Sequence, residues 1–462
     1  MSDVTAMIQG GTLRPGDRMP SVRRLSAQRG VSAPTVLHAY RLLEARRVIA
    51  ARARSGFYVL PPQRAPVAEA DRRGLHLRPG EIATSDLIMR VLDMAADRTL
   101  VPLGTALPDP DLLPGAELAR ALRRTLRRGE SRSGLHPTPA GTEELRREIA
   151  RRALEAGGAV AADDVVVTCG CAEALTLSLR ALTRPGDTVA VESPTYFGTL
   201  QALDVLGLRA VEIPVDPLTG IRLDALRATL ERGGVAALVV TPNVHNPLGC
   251  VMPDEHKQEL VDLLARTGVP AIEDDTYGEL FFGPSRPRSL QAFDRAGMVL
   301  TCGSFSKTLA PGYRLGWAIP GRHRDAVIHL KLGTTATSPV PLQLGVAEYL
   351  ASGGYEQHLR RLRRTFQGAV ERLAFEIADR FPAETRISSP AGGFLLWVQL
   401  PEGNDTVELQ RRALARGLSV APGPAFSASG GYRSYLRINA GYPWSERTRR
   451  ALDTLAGMIE RS

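Results

Sequence analysis

Only three lysines occur in the 462-residue chain, and one of them, Lys307, stands in the run SFSKTLAPGYRLGW at 304–317. Hydroxyls flank it, Pro311 and Gly312 follow, and Arg314 comes soon after. A lysine that forms a Schiff base with a phosphate-bearing carbonyl cofactor needs polar neighbours that hold the phosphate beside it. Ser304, Ser306 and the planar fork of Arg314 meet that need. A lysine on a surface loop is the other reading, and it accounts for none of these neighbours.

Four more segments fall at the ends of predicted strands, where ligands of open α/β sheets bind. VVVTCGCAEAL (165–175) runs from a strand through Gly170 into a helix, so the amides of Cys171 and Ala172 can cradle a phosphate with help from the helix dipole. EDDTYGEL (273–280) ends an apolar strand in acids. A carboxylate facing the pyridine nitrogen of pyridoxal phosphate keeps the ring protonated and makes it an electron sink. Asp274 is preferred to Asp275 because Tyr277 lies three residues on. TPNVHNPLG (241–249) offers Asn246 for the cofactor's phenolic oxygen, although taken singly it reads as an ordinary turn. SPTYFG (193–198) offers Tyr196 as an aromatic face for stacking on the ring, although a core tyrosine is the commoner fate of such a residue.

The elements that must carry these residues follow from the pattern around them. Short β-branched runs (VVVT at 165–168, VAV at 189–191, ALVVT at 237–241, PAIEDD at 270–275, MVLTC at 298–302) alternate with helical segments. That alternation predicts βαβ units and an α/β domain with a mainly parallel sheet flanked by helices. After about residue 345, HLRRLRRTFQGAVERLAFEIADRF reads as a long amphipathic helix, and GGFLLWVQL and SYLRIN as strands of a smaller C-terminal lobe.

A separate head precedes this body. Residues 1–62 hold ten arginines against Asp3, Asp17 and Glu44, so most of the net charge of +9 sits there, and such a module suits a polyanion partner. Ser21 is placed to cap SVRRLSAQR, with Val22 and Leu25 on one face. Gly30 supplies a turn, and Ser32 caps APTVLHAYRLLEARR, with Val36, Ala39, Tyr40 and Leu43 as its buried stripe. This is helix–turn–helix spacing, with Ser32, Thr35 and His38 able to enter a major groove. RARSGFYVL suits a β-hairpin wing that turns Arg52 and Arg54 toward phosphates. The stretch LPPQRAPVAEADRRG begins a linker. The expected division is therefore 1–60 for the winged helix–turn–helix, 61–85 for the linker and 86–462 for the body, with a large lobe at about 100–345 and a small one at about 346–462.

Four cysteines, Cys169, Cys171, Cys250 and Cys302, have neither C-x-x-C pairing nor clustered histidines, so no zinc site or disulfide framework is suggested, and Cys169 and Cys171 read as small buried residues. No run of about 18 apolar residues or signal-peptide pattern is present, which gives the expectation of a cytoplasmic protein without membrane contact.

Residues 12–59 closely resemble the winged-helix domain of the GntR family, a resemblance that implies DNA contacts from Arg23, Arg24, Ser32, Thr35 and the wing. The family's first helix is usually about ten residues longer, so either the start lies upstream or the head is less stable than its relatives. The remaining segments match, in order and spacing, the fold-type I aminotransferases, and joined to this head they resemble the MocR-type regulators. The resemblance implies Lys307 as the internal aldimine and Asp274 on the pyridinium. It implies Asn246 and Tyr277 on the phenolic oxygen, Ser304 and Arg314 on the phosphate, and Arg437 in YLRIN as clamp for a ligand carboxylate. It also implies a homodimer on a double-stranded DNA operator. Two positions depart: the family commonly has tyrosine where His136 stands and a glutamine where Ala172 stands, which puts phosphate binding across the dimer in question. The function this implies is a DNA-binding transcription regulator that senses an amino acid or amine at its pyridoxal phosphate. A genuine aminotransferase with a fused head is the alternative, and an interaction protein without cofactor the third reading.

Overall fold

The computed structural model describes residue 13 and residues 17–45, 48–52, 56–59, 78–128 and 138–459. In the head, Ser21 Oγ accepts from the Arg24 amide at 3.2 Å and starts the helix Val22–Arg29, which ends at Gly30 in the left-handed conformation, φ 64°. Glycine takes that conformation without steric cost. Ser32 Oγ accepts from the Thr35 amide at 3.3 Å and opens the helix Ala33–Ala45. That helix buries Val36, Tyr40 and Leu43 against Met19 and the hairpin of β1 (Ile49–Arg52) and β2 (Gly56–Val59), with Ala39 only partly covered. Val22 and Leu25 pack on the same small core, and the Tyr40 hydroxyl is satisfied by the Pro20 carbonyl at 2.8 Å.

In the body, β3 (Val101–Pro102) precedes an eight-stranded sheet of β4 (Val166–Thr168), β5 (Thr188–Ser193), β6 (Arg209–Asp216), β7 (Gly220–Ile221), β8 (Val235–Val240), β9 (Ala271–Asp274), β10 (Val299–Ser304) and β11 (Gly316–Ile319). Its order is β4-β11-β10-β9-β8-β5-β6-β7. The central pairs from β10 to β6 are parallel, whereas β11 runs antiparallel to both β10 and β4. These strands are apolar and buried on both faces, as a parallel sheet covered by helices requires. The C-terminal ends of β4, β5, β8, β9 and β10 therefore open toward one edge, and the loops that follow them build the site.

The smaller lobe follows the 27-residue helix Gly354–Arg380 and holds an antiparallel sheet, β12 (Arg386–Ile387), β13 (Leu395–Gln399), β16 (Tyr435–Asn439) and β15 (Ala421–Pro422) in that order. It also draws on residues from before the large sheet: β14 (Leu418–Ser419) pairs in parallel with β3, and Leu103 joins the core of this lobe. A boundary drawn along the sequence misses this, because the chain passes through the small lobe before it enters the large one. The expected linker is described from residue 78, where it is already tied to the body. Gly80 and Ala210 exchange backbone hydrogen bonds, and the Ala83 amide donates to the Ala428 carbonyl at 2.9 Å. No helix among the described residues is long and apolar enough to cross a membrane.

Candidate functional site

A cavity of about 440 Å³ opens at the C-terminal edge of the sheet, a size ordinary for a small-molecule site. Ten residues singled out from the sequence line it: Cys171, Ala172, Tyr196, Asn246, Asp274, Tyr277, Ser304, Ser306, Lys307 and Arg314. Lys307 follows β10, and its half-buried amine donates to the Ala106 carbonyl at 2.7 Å. Burial, followed by the repulsion of Arg437 and Arg314 against the opposing pull of Asp274, brings its pKa down to about 8.

Asp274 ends β9 and accepts from the Thr276 amide at 3.0 Å and from the Cys171 thiol at 3.6 Å. Burial raises its pKa despite these donors, so a cationic N–H arriving in the cavity gains by facing it. Asp275 turns to the other side of the strand and pairs with Arg286, away from the cavity.

Groups able to hold an anion gather beside the lysine. The helix Cys171–Leu182 starts at Gly170, φ 86°, with no side chain capping it, and its first amides have no acceptor inside the helix. Ser304 Oγ and Ser306 Oγ are 2.8 Å apart, and Arg314 reaches Ser306 Oγ at 3.3 Å and the Cys169 carbonyl at 3.2 Å. A Cβ at Gly170 would stand 2.6 Å from the Arg314 guanidinium, so both the fold of the backbone and the close approach of the arginine call for glycine.

Two further features fit a phosphorylated pyridine ring. The Tyr277 hydroxyl is buried without a hydrogen-bond partner, and burial pushes its pKa well up. A donor this costly to leave unpaired suits an oxygen acceptor in the cavity. Half-buried Tyr196 contributes an aromatic wall. Together the donor set, the carboxylate, the amine and the cavity size fit pyridoxal phosphate.

Arg437, on β16, does not line this cavity but stands behind it, 1% exposed. It donates to the Asn246 side-chain oxygen at 3.2 Å and to the Gly104 carbonyl at 2.8 Å, while its Nε finds no partner. Burial lowers its pKa to about 10, with only Tyr277 and Tyr196 opposing the fall. Asn246 thus touches both the cavity and the arginine.

Sequence reasoning missed the strap Gly104–Leu107, whose carbonyls meet Lys307 and Arg437, since a main-chain acceptor has no residue signature. It also read Cys171 by its amide and its bulk, whereas the half-buried thiol lines the cavity and points at Asp274. In the head, Arg23, Arg24, Ser32, Thr35 and His38 are exposed, with the Ser32 and Thr35 hydroxyls 2.7 Å apart. Arg52 belongs to β1, but its side chain, like Arg54 and His136 as a whole, lies outside the described residues.

Comparison with known proteins adds the following. The model of aminotransferase class I and II matches residues 108–455, and that of the gntR family of bacterial regulatory proteins matches residues 2–59. The chain is similar to YjiR of Escherichia coli, an uncharacterized HTH-type transcriptional regulator, with 39% identity over 98% of this chain and 97% of that one. It is also similar to the HTH-type transcriptional regulator TauR of Rhodobacter capsulatus, 31% identical over 92% and 88% of the two chains. Among solved structures it resembles the α-aminoadipate aminotransferase LysN of Thermus thermophilus, complexed with N-(5'-phosphopyridoxyl)-L-leucine, at TM-score 0.74 and 28% identity over 82% and 98%. A kynurenine aminotransferase of Pyrococcus horikoshii gives 0.75 and 27% over 81% and 94%.

Proposed function

Since the chain belongs to the HTH-type transcriptional regulators that join a GntR-family head to an aminotransferase class I and II domain, the MocR architecture, we propose that its cavity holds pyridoxal phosphate and senses an amino acid. The observation that carries the sensing is Arg437: a guanidinium sealed from water beside the cavity, with neutral acceptors and aromatic rings but no carboxylate against it among the described residues, gains from an anion that offsets its charge. An α-carboxylate does so in bidentate fashion, which favours an amino acid over a simple amine.

Lys307 is the residue that would bond the cofactor, and Asp274 would face the ring nitrogen. Asn246 and Tyr277 would hold the phenolic oxygen, with Tyr196 against the ring. The amides of Cys171 and Ala172, with Ser304, Ser306 and Arg314, would hold the phosphate. Bound there, pyridoxal phosphate supplies a carbonyl that exchanges one amine for another and a ring that withdraws electrons. The chain's own part is to bring the pKa of Lys307 Nζ down to about 8, so that near that pH it gives up and regains a proton easily, and to orient the incoming carboxylate through Arg437 and Asn246. DNA is held by the head, with Arg23 and Arg24 toward phosphates and Ser32, Thr35 and His38 toward base edges.

The test has two halves on one preparation. Borohydride reduction should fix the cofactor to Lys307 and to neither Lys257 nor Lys331, both of which are fully buried and hydrogen-bonded elsewhere. DNA affinity, measured at one salt concentration with and without each of the common L-amino acids, should then change about 5–150-fold with at least one of them. Label on another lysine defeats the cofactor site. Rapid turnover with keto acids and no effect on DNA favours the aminotransferase reading, which the likeness to LysN supports. The regulator is further proposed to act as a homodimer on two half-sites, so the holoprotein should sediment as a dimer, and a monomer that binds DNA tightly counts against this.

A further inference from the structure

The segment that leaves the linker is fastened to a loop of the small lobe. Ala83 donates its amide to the Ala428 carbonyl at 2.9 Å, and Thr84 Oγ1 donates to the Ser427 carbonyl at 3.1 Å. That loop is held by one buried side chain of the large sheet, Glu212 on β6, which is 1% exposed. Its carboxylate accepts from Ser427 Oγ at 2.7 Å, Ser429 Oγ at 2.7 Å, the Ala428 amide at 3.1 Å and Ser193 Oγ at 2.8 Å.

Both ends of this junction reach the ligand site. Ser193 lies three residues before Tyr196 of the cavity wall. Phe426, the residue before the loop, lays its ring 4.9 Å from the Arg437 guanidinium, and its carbonyl accepts from the Thr195 amide at 2.9 Å. The ring of Phe197 stands 5.2 Å from the same guanidinium. Four charge-assisted hydrogen bonds on one buried carboxylate tie the loop, β6 and Ser193 into one stiff junction between the linker root and the residues around Arg437 and Tyr196.

We propose that Glu212 is a positioning residue for signalling, which couples the Arg437 clamp through Phe426 and residues 427–429 to Ala83 and Thr84, and so to the linker that carries the DNA-binding head. The proposal rests on the reading of the cavity as an amino-acid sensor. Its physical content is that the root of the linker and the cover of the clamp are one hydrogen-bonded unit, whose position carboxylate binding shifts. A purely structural Glu212 would hold the two lobes together without linking ligand occupancy to the head.

The experiment uses the full-length holoprotein and the amino acid that perturbs its visible spectrum most among the common L-amino acids. Thr84→Val keeps the shape of the side chain and removes only its bond to the Ser427 carbonyl. Its amino-acid affinity, read from the spectrum, should stay within about twofold of wild type, while the ligand effect on DNA affinity falls below about twofold. Glu212→Gln removes the negative charge that strengthens all four bonds and sets an N–H beside the Ser429 hydroxyl in place of an acceptor, and should change both ligand affinity and the DNA response. Hydrogen exchange at the Ala83 amide should respond to the amino acid in wild type and lose that response in Thr84→Val. Should Glu212→Gln fail to fold, Thr84→Val and the exchange measurement still decide. An undiminished DNA response in Thr84→Val with an unresponsive Ala83 amide overturns the relay and leaves sensing intact, whereas a wild-type spectrum that no amino acid perturbs overturns both.

Discussion

Asp274 and Asp275 are neighbours in sequence, yet the charges gathered around them obey different rules. On the Asp275 side, Arg152, Arg286 and Arg363 meet Glu279, Asp275, Glu356 and Glu155, so each cation has at least one carboxylate partner. Glu279 sits at the centre, 2.7 Å from Arg152 and 2.9 Å from Arg286. Burial alone would raise its pKa, but Arg286 and Arg152 outweigh that and hold it below the ordinary carboxylate value. On the Asp274 side, Lys307 meets the pull of Asp274 against the repulsion of Arg437 and Arg314, and Arg437 itself is opposed only by the tyrosines Tyr277 and Tyr196. The first group is complete and serves the fold. The second holds more cations than carboxylates, the arrangement that the proposed binding of a phosphate and an α-carboxylate would balance.

The comparison breaks most visibly at Glu279. Glu279→Ala leaves three arginines around a missing carboxylate, two of them deeply buried, and should cost about 3–5 kcal/mol, the usual penalty for stripping one partner from a buried ion pair. Chemical denaturation of the full chain should show a lowered midpoint with the covalent attachment of cofactor to Lys307 preserved in the folded fraction. A loss under about 1 kcal/mol would mean that this group is as incomplete as the other.

How far each group could be read in the sequence follows from how its residues are linked along the chain. Lys307, Ser304, Ser306 and Arg314 lie within one short run, and Asp274 and Tyr277 within another, so type and spacing alone brought them forward. Arg152 meets Glu279 across 127 residues and Glu356 across 204, and nothing near any of the three announces a partner. The parallel sheet was legible from its apolar runs. The return of residues 101–103 into the small lobe was not, because β3 is two residues long and takes its meaning from β14 far downstream.

Titration separates the two groups at a smaller scale. The Lys307 amine has a pKa of about 8 in the fold against an ordinary lysine value near 10.5. Between those values the unfolded chain holds a proton that the folded chain has released, so stability of the cofactor-free protein rises with pH across that window. Below about pH 8 both states are protonated and the full burial penalty on the ammonium remains. The gain is no more than about 3.5 kcal/mol at 1.36 kcal/mol per pKa unit, and less to the extent that water in the cavity screens the half-buried amine. Lys307→Met should remove the rise when stability is measured at pH 8 and pH 10. Persistence of the full rise in that variant would assign it to other groups. The Asp275 group should contribute little there, since its arginines stay charged throughout.

The smallest effect on stability is expected at Arg437, and it is the sharpest contrast with Glu279. Replacing Arg437 with methionine removes a buried cation that has no carboxylate against it among the described residues, and with it a desolvation cost that the Gly104 carbonyl, Asn246 and the two aromatic rings offset in part. Those two acceptors lose a donor, at about 1–3 kcal/mol for a buried polar group left unpaired, while exchange of an uncompensated buried charge for an apolar side chain of similar length returns a comparable amount. The Phe197 and Phe426 rings that now face the guanidinium at 5.2 and 4.9 Å pack equally well against a thioether. Arg437→Met should therefore unfold within about 1 kcal/mol of wild type in the absence of amino acid. It should still take up cofactor at Lys307, since Arg437 is not part of the cavity lining. Its amino-acid response, read both from the visible spectrum and from DNA affinity, should disappear. A stable, cofactor-loaded and ligand-blind protein separates sensing from folding at one side chain. A loss of stability approaching that of Glu279→Ala would instead show that Arg437 is already satisfied within the chain and was never held open for a carboxylate.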